Sequence, residues 1–322
     1  MKQLTYVHAI NEALAEEMRR DEKVFMIGED IQLGSFGTST GLVKEFGPER
    51  IMDTPISETA IAGAAVGAAM AGYRPIADFM FADFMFVAGD EIFMRAAKWR
   101  FIHGGTQMIP LVFMAAMGGY AKLGAEHSQS PVSYYLHAPG LKLVVPSTPY
   151  DAKGLMKSAI RDNNPVIYFY HKLLLGLPGE IPEEEYTIPL GKADIKREGS
   201  DVTVVATGLQ VHHALGVAAE LDKQVSCEVI DPRSLEPLDM ETIIASVKKT
   251  GRVVVVDEDT LRCGIAGEIS MQIFENCFDY LDAPVQRIAA QNYPIPPGML
   301  EATVLPQPQQ IKAAILAVTK KD

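Results

Sequence analysis

DTPISETAIAGAAVGAAMAG, Asp53 to Gly72, joins a turn to a run of very small residues and carries one glutamate. Pro55 disfavours helical geometry at Thr54, and Ser57 offers an oxygen to the first free backbone N–H groups, so a helix is predicted to begin near Glu58. Beyond Glu58 only Thr59 is polar as far as Gly72, and Gly63 and Gly67 fall one turn apart, which admits another backbone closely. A helix apolar all round is predicted to be buried. Its acid has two readings. As a solvated first-turn residue, Glu58 would gain ~0.3–1 kcal/mol from the helix dipole. As a carboxyl half buried by its own helix, it would hold an easily shared proton, because desolvation raises its pKa and the dipole lowers it.

Outward from that stretch, short apolar runs alternate with helical patterns. Strands are predicted at Val24–Ile27, Pro75–Phe79, Ile109–Met114, Lys142–Val145 and Pro165–Tyr170, with helices near the N-terminus and at Val87–Phe101 and Pro149–Asp162. Gln32–Gly47 reads as a loop with a short helix, and Gly118–Pro131 as a long loop. Such alternation specifies an α/β fold, an open doubly wound parallel sheet with helices on both faces. Three prolines, four glycines and the run Glu183-Glu184-Glu185 mark Leu175–Gly199 as an interdomain segment. Strands at Val202–Ala206, Val225–Ile230, Val253–Asp257 and Val285–Ile288 then repeat the pattern. The expected domains are 1–175 and 200–322, joined by a linker at 176–199.

Composition narrows the class. With 48% hydrophobic and 22% charged residues, the 322-residue chain is globular rather than disordered or fibrous. Its most apolar window, Ala60–Met70, is far shorter than the ~20 residues that span a bilayer, so no membrane partner is expected. The N-terminal residues read as an amphipathic helix rather than a signal peptide. Cys227, Cys263 and Cys277 are odd in number and lack CxxC spacing, which suits free thiols in a cytoplasmic protein. A net charge of −12 argues against nucleic acid and favours a basic protein partner. Neither G-x-G-x-x-G after a strand, G-x-x-x-x-G-K-S/T nor HExxH occurs, and the pattern alone stops at a two-domain α/β protein.

Seven stretches extend the reading: IGED (Ile27–Asp30), DTPISE (Asp53–Glu58), ADFMFADF (Ala77–Phe84), EHSQS (Glu126–Ser130), HAPGLKLVVPSTPYDAKGL (His137–Leu155), RDNNPV (Arg161–Val166) and DPRSLEPLD (Asp231–Asp239). In this order and spacing they resemble the β subunit of the thiamine-diphosphate-dependent component of 2-oxo acid dehydrogenase complexes, over almost the whole chain. YTIPLGKADIKREGSDVT (Tyr186–Thr203) and VDEDTLRCGIAGEI (Val256–Ile269) point within that family towards acetoin dehydrogenase β subunits, with pyruvate and branched-chain relatives near. The implied fold is a pyrimidine-binding-type α/β domain followed by a smaller transketolase C-terminal-like α/β domain.

The resemblance also implies a site. Glu58 would bind the ring nitrogen opposite the amino group of thiamine's aminopyrimidine and share a proton with it, favouring the tautomer that activates the thiazolium carbon. Phe84 would stack on the pyrimidine, a contact worth ~0.5–1.5 kcal/mol beyond burial, where a core phenylalanine is the bland alternative. Glu29 and Ile56 are implied as further cofactor contacts. His127 would give or take a proton as the acyl group passes to lipoamide, although a lone loop histidine is otherwise simply solvated. Carbonyls of Leu111, Ala159, Ile160, Asp162 and Asn164 match potassium ligands of some relatives. Met114 stands where many relatives carry arginine, and Lys122 in the following loop is a candidate to restore that charge.

The magnesium-binding GDG motif of thiamine-diphosphate enzymes is missing. An α subunit is therefore implied, holding magnesium and the diphosphate in an α2β2 tetramer, with the Gly63/Gly67 face suited to interchain packing. A lipoyl-bearing dihydrolipoyl acyltransferase is the implied second partner, with Asp279, Asp282 and Asp322 as candidate docking charges. The implied reaction cleaves acetoin or decarboxylates pyruvate and reductively acylates lipoamide. A branched-chain 2-oxo acid dehydrogenase β subunit, a split transketolase-like enzyme and a non-catalytic α/β assembly module are the alternatives.

Overall fold

Runs of β-branched and aromatic residues with no polar alternation suit strands covered on both faces, and they form the two larger sheets of the computed structural model. The structure describes residues 1–320, so the docking role expected of Asp322 lies outside the described residues. Contacts divide the chain into two units, residues 1–117 with 134–190, and residues 118–133 with those from 191 onward.

The first unit contains β1 (Lys2–Thr5), α1 (Tyr6–Arg20), β2 (Val24–Gly28), α2 (Leu42–Phe46), β3 (Ile51–Asp53), α3 (Glu58–Met70), β4 (Arg74–Phe81), α4 (Ala97–Ile102), β5 (Val112–Met117), α5 (Val132–Leu136), β6 (Lys142–Val144), α6 (Pro149–Arg161), β7 (Val166–His171) and β8 (Pro178–Ile181). Six of its strands run parallel in the order β6-β7-β5-β4-β2-β3. Strand β5 begins later than predicted, at Val112, because Pro110 has no N–H to donate to a neighbour. Between β4 and α4 the chain winds tightly over Ala82–Ala88 and widely over Asp90–Ala96, so the helix predicted from Val87 begins earlier and is irregular.

Two expectations about α3 require correction. Ser57 makes no side-chain cap bond; its carbonyl instead accepts the Ile61 N–H at 2.9 Å. Nor is the helix buried all round. Ile61, Ala62, Ala65, Val66 and Ala69 face the core, while Ala60, Ala64 and Gly67 are exposed. Hydropathy without period cannot say which neighbours are present, and among the described residues they cover the face of Ile61, Ala62, Ala65, Val66 and Ala69.

In the second unit, β9 (Asp194–Arg197), β10 (Val202–Ala206), α7 (Leu209–Leu221), β11 (Cys227–Asp231), β12 (Ser234–Glu236), α8 (Met240–Thr250), β13 (Val253–Thr260), α9 (Ile265–Cys277), β14 (Gln286–Ala290) and α10 (Pro308–Thr319) follow one another. Its sheet has the order β14-β13-β10-β11-β9, parallel except for β9. The stretch read as a linker thus carries ordered strands. Residues of β8 pair with β1 from the start of the chain, and β9 pairs antiparallel with β11. Such distant pairing leaves no local signature among prolines and glycines.

Candidate functional site

Ligands of open parallel sheets sit outside the carboxyl ends of the strands. At that edge of the first sheet, Gly28 lies in register with Asp53 of β3 and Asp78 of β4, and Asp78 with Met114 of β5. The backbones approach closely here, since a Cβ on Gly28 would fall 2.5 Å from the Asp78 carbonyl oxygen. Leaving β3, the Thr54 N–H donates to the Gly28 carbonyl at 3.0 Å and the Gln32 N–H donates to Asp53 Oδ1 at 2.9 Å. These bonds tie the DTPISE turn to the end of β2.

Glu58 emerges from that turn half-buried, in the first turn of α3, and among the described residues no hydrogen bond or ion pair engages its carboxylate. The buried Thr54 hydroxyl nearby also lacks a partner among the described residues. Glu29, just past β2, is half-buried, and its carboxyl is pushed above the usual range by burial and by the negative charges of Asp30 and Glu58. Glu29 therefore senses the charge of Glu58. Ile56 projects from the same turn and is 72% exposed.

Phe84 stands half-buried beyond β4, packed edge-on against Phe81 with ring centroids 5.4 Å apart. Phe81 in turn meets Phe36 edge-on at 5.1 Å. The Thr59 hydroxyl donates to the Val87 carbonyl at 3.0 Å, joining the start of α3 to the segment that carries Phe84. The structure thus brings Glu29, Ile56, Glu58 and Phe84 to one edge of the first unit. His127 belongs to the segment 118–133 of the second unit, half-buried in a turn closed by its own N–H to the Gly124 carbonyl at 3.3 Å.

Asp78 was missed by sequence reasoning as a residue of interest. It is 4% exposed, and burial pushes its carboxyl up to about 6, opposed by the Met80 N–H that donates to Oδ1 at 2.9 Å. That bond closes a turn in which Met80 takes a φ of 60°, a left-handed conformation that redirects the chain towards Phe84. A lone acid inside the apolar strand RPIADFMF was the available signal.

The potassium positions lie apart from this edge in their bonding. Carbonyls of Ile160 and Asp162 each accept from Arg74 Nη1 at 2.9 Å, and the Leu111 carbonyl accepts the Val166 N–H at 3.0 Å. Asp162 also pairs with Lys142, which with Asn164 holds its carboxyl below the usual range against the opposing effect of burial. A carbonyl oxygen has two acceptor positions, so each retains one. Met114, fully buried within β5 beside Tyr168, cannot occupy a loop, and the glycine-rich loop begins only at Gly118.

A half-buried carboxylate with no partner among the described residues and a half-buried aromatic ring thus lie at the carboxyl edge of a parallel sheet, and a second α/β unit follows in the sequence. The transketolase pyrimidine-binding domain matches residues 2–178, and the transketolase C-terminal domain matches residues 191–311. The chain is 46% identical over 324 residues to the acetoin:2,6-dichlorophenolindophenol oxidoreductase subunit beta of Bacillus subtilis (strain 168), covering 96% of this chain and 95% of the relative. It is also 46% identical to the 2-oxoisovalerate dehydrogenase subunit beta of the same organism, covering 98% of each. A solved split-gene transketolase, described as an inactive beta4 tetramer, superposes with a TM-score of 0.78 over 98% of this chain and 99% of that one, at 23% identity, a likeness of fold. The chain belongs to the family of acetoin and 2-oxo acid dehydrogenase β subunits.

Proposed function

We propose that the chain is the β subunit of a thiamine-diphosphate-dependent acetoin or pyruvate dehydrogenase that passes an acyl group to lipoamide. The observation that carries this reading is the Glu58 carboxylate, half-buried at the sheet edge with no partner among the described residues, in a turn whose Thr54 hydroxyl is also unsatisfied among them. A buried polar group without a partner costs roughly 1–3 kcal/mol, so such groups are retained where a ligand satisfies them. The donor set fits an aminopyrimidine.

Bound there, thiamine diphosphate would supply an acidic carbon able to attack a carbonyl and accept its electrons. Glu58 would hold a proton at its carboxyl oxygen against the pyrimidine nitrogen, with the Glu29 carboxyl, itself pushed up by burial and by the charges of Asp30 and Glu58, close by. Phe84 would offer its ring face to the pyrimidine, and the exposed Ile56 side chain an apolar contact. His127 would handle the proton exchanged with lipoamide. Potassium at the carbonyls of Leu111, Ala159, Ile160, Asp162 and Asn164 would be structural.

Only half of a cofactor site is proposed for this chain. With no GDG motif, magnesium and the diphosphate fall to an α subunit, for which the exposed Ala60/Ala64/Gly67 face of α3 is the proposed contact in an α2β2 tetramer. A dihydrolipoyl acyltransferase is the second proposed partner. Of the candidate docking charges, Asp279 is exposed, while Asp282 is paired with Arg252 at 2.9 Å and contributes less net field. The compartment proposed is the cytoplasm.

The reconstituted α/β complex, assayed with acetoin, pyruvate and 2-oxoisovalerate and a dye acceptor, tests the substrate. The highest kcat/KM is expected with acetoin or pyruvate; a preference for 2-oxoisovalerate would replace this reading with the branched-chain one.

A further inference from the structure

The second unit holds the segment Gly118–Ser133 by an unusual set of bonds. Glu258 and Asp259, at the end of β13, and Glu301 are all buried, at 5%, 7% and 3% exposure. Glu258 Oε1 accepts the Gly119 N–H and, at 3.3 Å, the Ser130 hydroxyl. Asp259 Oδ2 accepts the Ser133 N–H at 3.1 Å, and Glu301 Oε2 accepts the Lys122 N–H at 2.9 Å. Both ends of the segment, and a point near its start, therefore hang on buried carboxylates.

Where the carboxylates grip, the backbone is strained. Tyr120 and Lys122 both take a φ of 64°, a left-handed conformation that a non-glycine residue adopts only where its surroundings impose it. Lys122 is the residue held by Glu301. The Tyr120 hydroxyl donates to the Pro306 carbonyl at 2.6 Å and accepts from Gln210 Nε2 at 2.8 Å. Just before Tyr120, Gly119 passes so close that a Cβ there would lie 2.3 Å from Leu305 Cδ1. Burying carboxyl groups against loop amides is costly in itself, and strain of this kind gathers where a segment must be pre-set for function.

We propose that Glu301, with Glu258 and Asp259, is a positioning residue: it fixes the segment that carries His127 so that the imidazole is pre-set for proton exchange with lipoamide. The proposal rests on the reading of His127 given above. Glu301 is the most informative member. Its Oε1 has no partner among the described residues, so a glutamine can keep the single accepting oxygen that Lys122 uses.

The test compares Glu301→Ala, Glu301→Gln and His127→Ala in the complex reconstituted with the α chain, using free lipoamide and 2,6-dichlorophenolindophenol as alternative acceptors. Glu301→Ala is expected to lower the ratio of lipoamide to dye turnover at least tenfold, and Glu301→Gln to restore it to within about threefold. Hydrogen exchange on the chain should accelerate at least tenfold across 118–133 in Glu301→Ala. If His127→Ala lowers the ratio but Glu301→Ala leaves it unchanged, the positioning role is overturned and the His127 reading stands. If His127→Ala itself leaves the ratio unchanged, both fall. Should Glu301→Ala fail to fold, the shortened carboxylate of Glu301→Asp must lower the ratio in its place, and an unchanged ratio there also overturns the proposal.

Discussion

Two helical faces of the first unit solve the burial problem in opposite ways. Where α1 packs on α6, buried charge is satisfied inside the chain. Glu17, fully buried, accepts from Arg161 Nη2 at 2.6 Å and Arg20 Nε at 2.8 Å, while Lys153 and Lys157, each 1% exposed, pair with Glu12 and Glu16. On α3 the reverse holds. There the exposed face is nearly all alanine and glycine, and the one carboxylate has no partner among the described residues. One face is complete as it stands; the other has the character of an unfinished interface beside an unfinished site.

The largest effect separates site from scaffold. Glu58→Gln should leave assembly with the α chain intact but slow exchange of the thiazolium proton by ~10²–10⁴-fold, since glutamine can hydrogen-bond the pyrimidine without sharing a proton. NMR of the assembled variant in deuterated buffer reads it, and an unchanged rate would remove Glu58 from the mechanism.

Next comes the contrast itself. Glu17→Ala takes the buried acceptor away from Arg20 and leaves Arg161 with Glu185 alone, and should cost about 3 kcal/mol in urea unfolding, as removing one partner of a buried pair does. Ala64→Leu on the open face should change the stability of the isolated chain by less than about 0.5 kcal/mol. The same variant should weaken α-chain binding at least tenfold. Equal destabilisation by both would show that the α3 face is already occupied within the chain.

A smaller effect concerns Asp78. Its carboxyl is pushed up to about 6 from an ordinary 3.8, so between those values the folded chain holds the proton that the unfolded chain has lost. Stability from this group is therefore present below pH 4 and is lost as pH rises to 6, by roughly 3 kcal/mol at 1.4 kcal/mol per pH unit. Asp78→Asn keeps an acceptor for the Met80 N–H and should be more stable than the parent at pH 7 by on the order of 1–3 kcal/mol, with no difference at pH 3.5. Denaturant midpoints equal to the parent's at both pH values would contradict it.

Legibility followed the range of the interactions concerned. Most strands of the two larger sheets, though not β3 and β9, were readable because Val24–Ile27, Val202–Ala206 and Val253–Val256 declare their burial residue by residue, and a helix start near Glu58 could be placed from Pro55 and Ser57. What stayed hidden depends on neighbours remote in sequence. The β1–β8 pairing links residues near 2 and 181, the exposed side of α3 is defined by what does not cover it, and Asp78 draws its raised pKa from strands on either side. The roles of Glu58, Phe84 and His127 were legible only through ordered motifs resembling a known family, because a glutamate, a phenylalanine and a histidine have no distinguishing local pattern.

Titration calorimetry with thiamine diphosphate and magnesium tests the central claim, that this chain presents only the pyrimidine half of a site. The isolated chain should give no measurable binding at micromolar concentration, and binding should appear when an α chain is added. Micromolar affinity for the isolated chain would contradict the account.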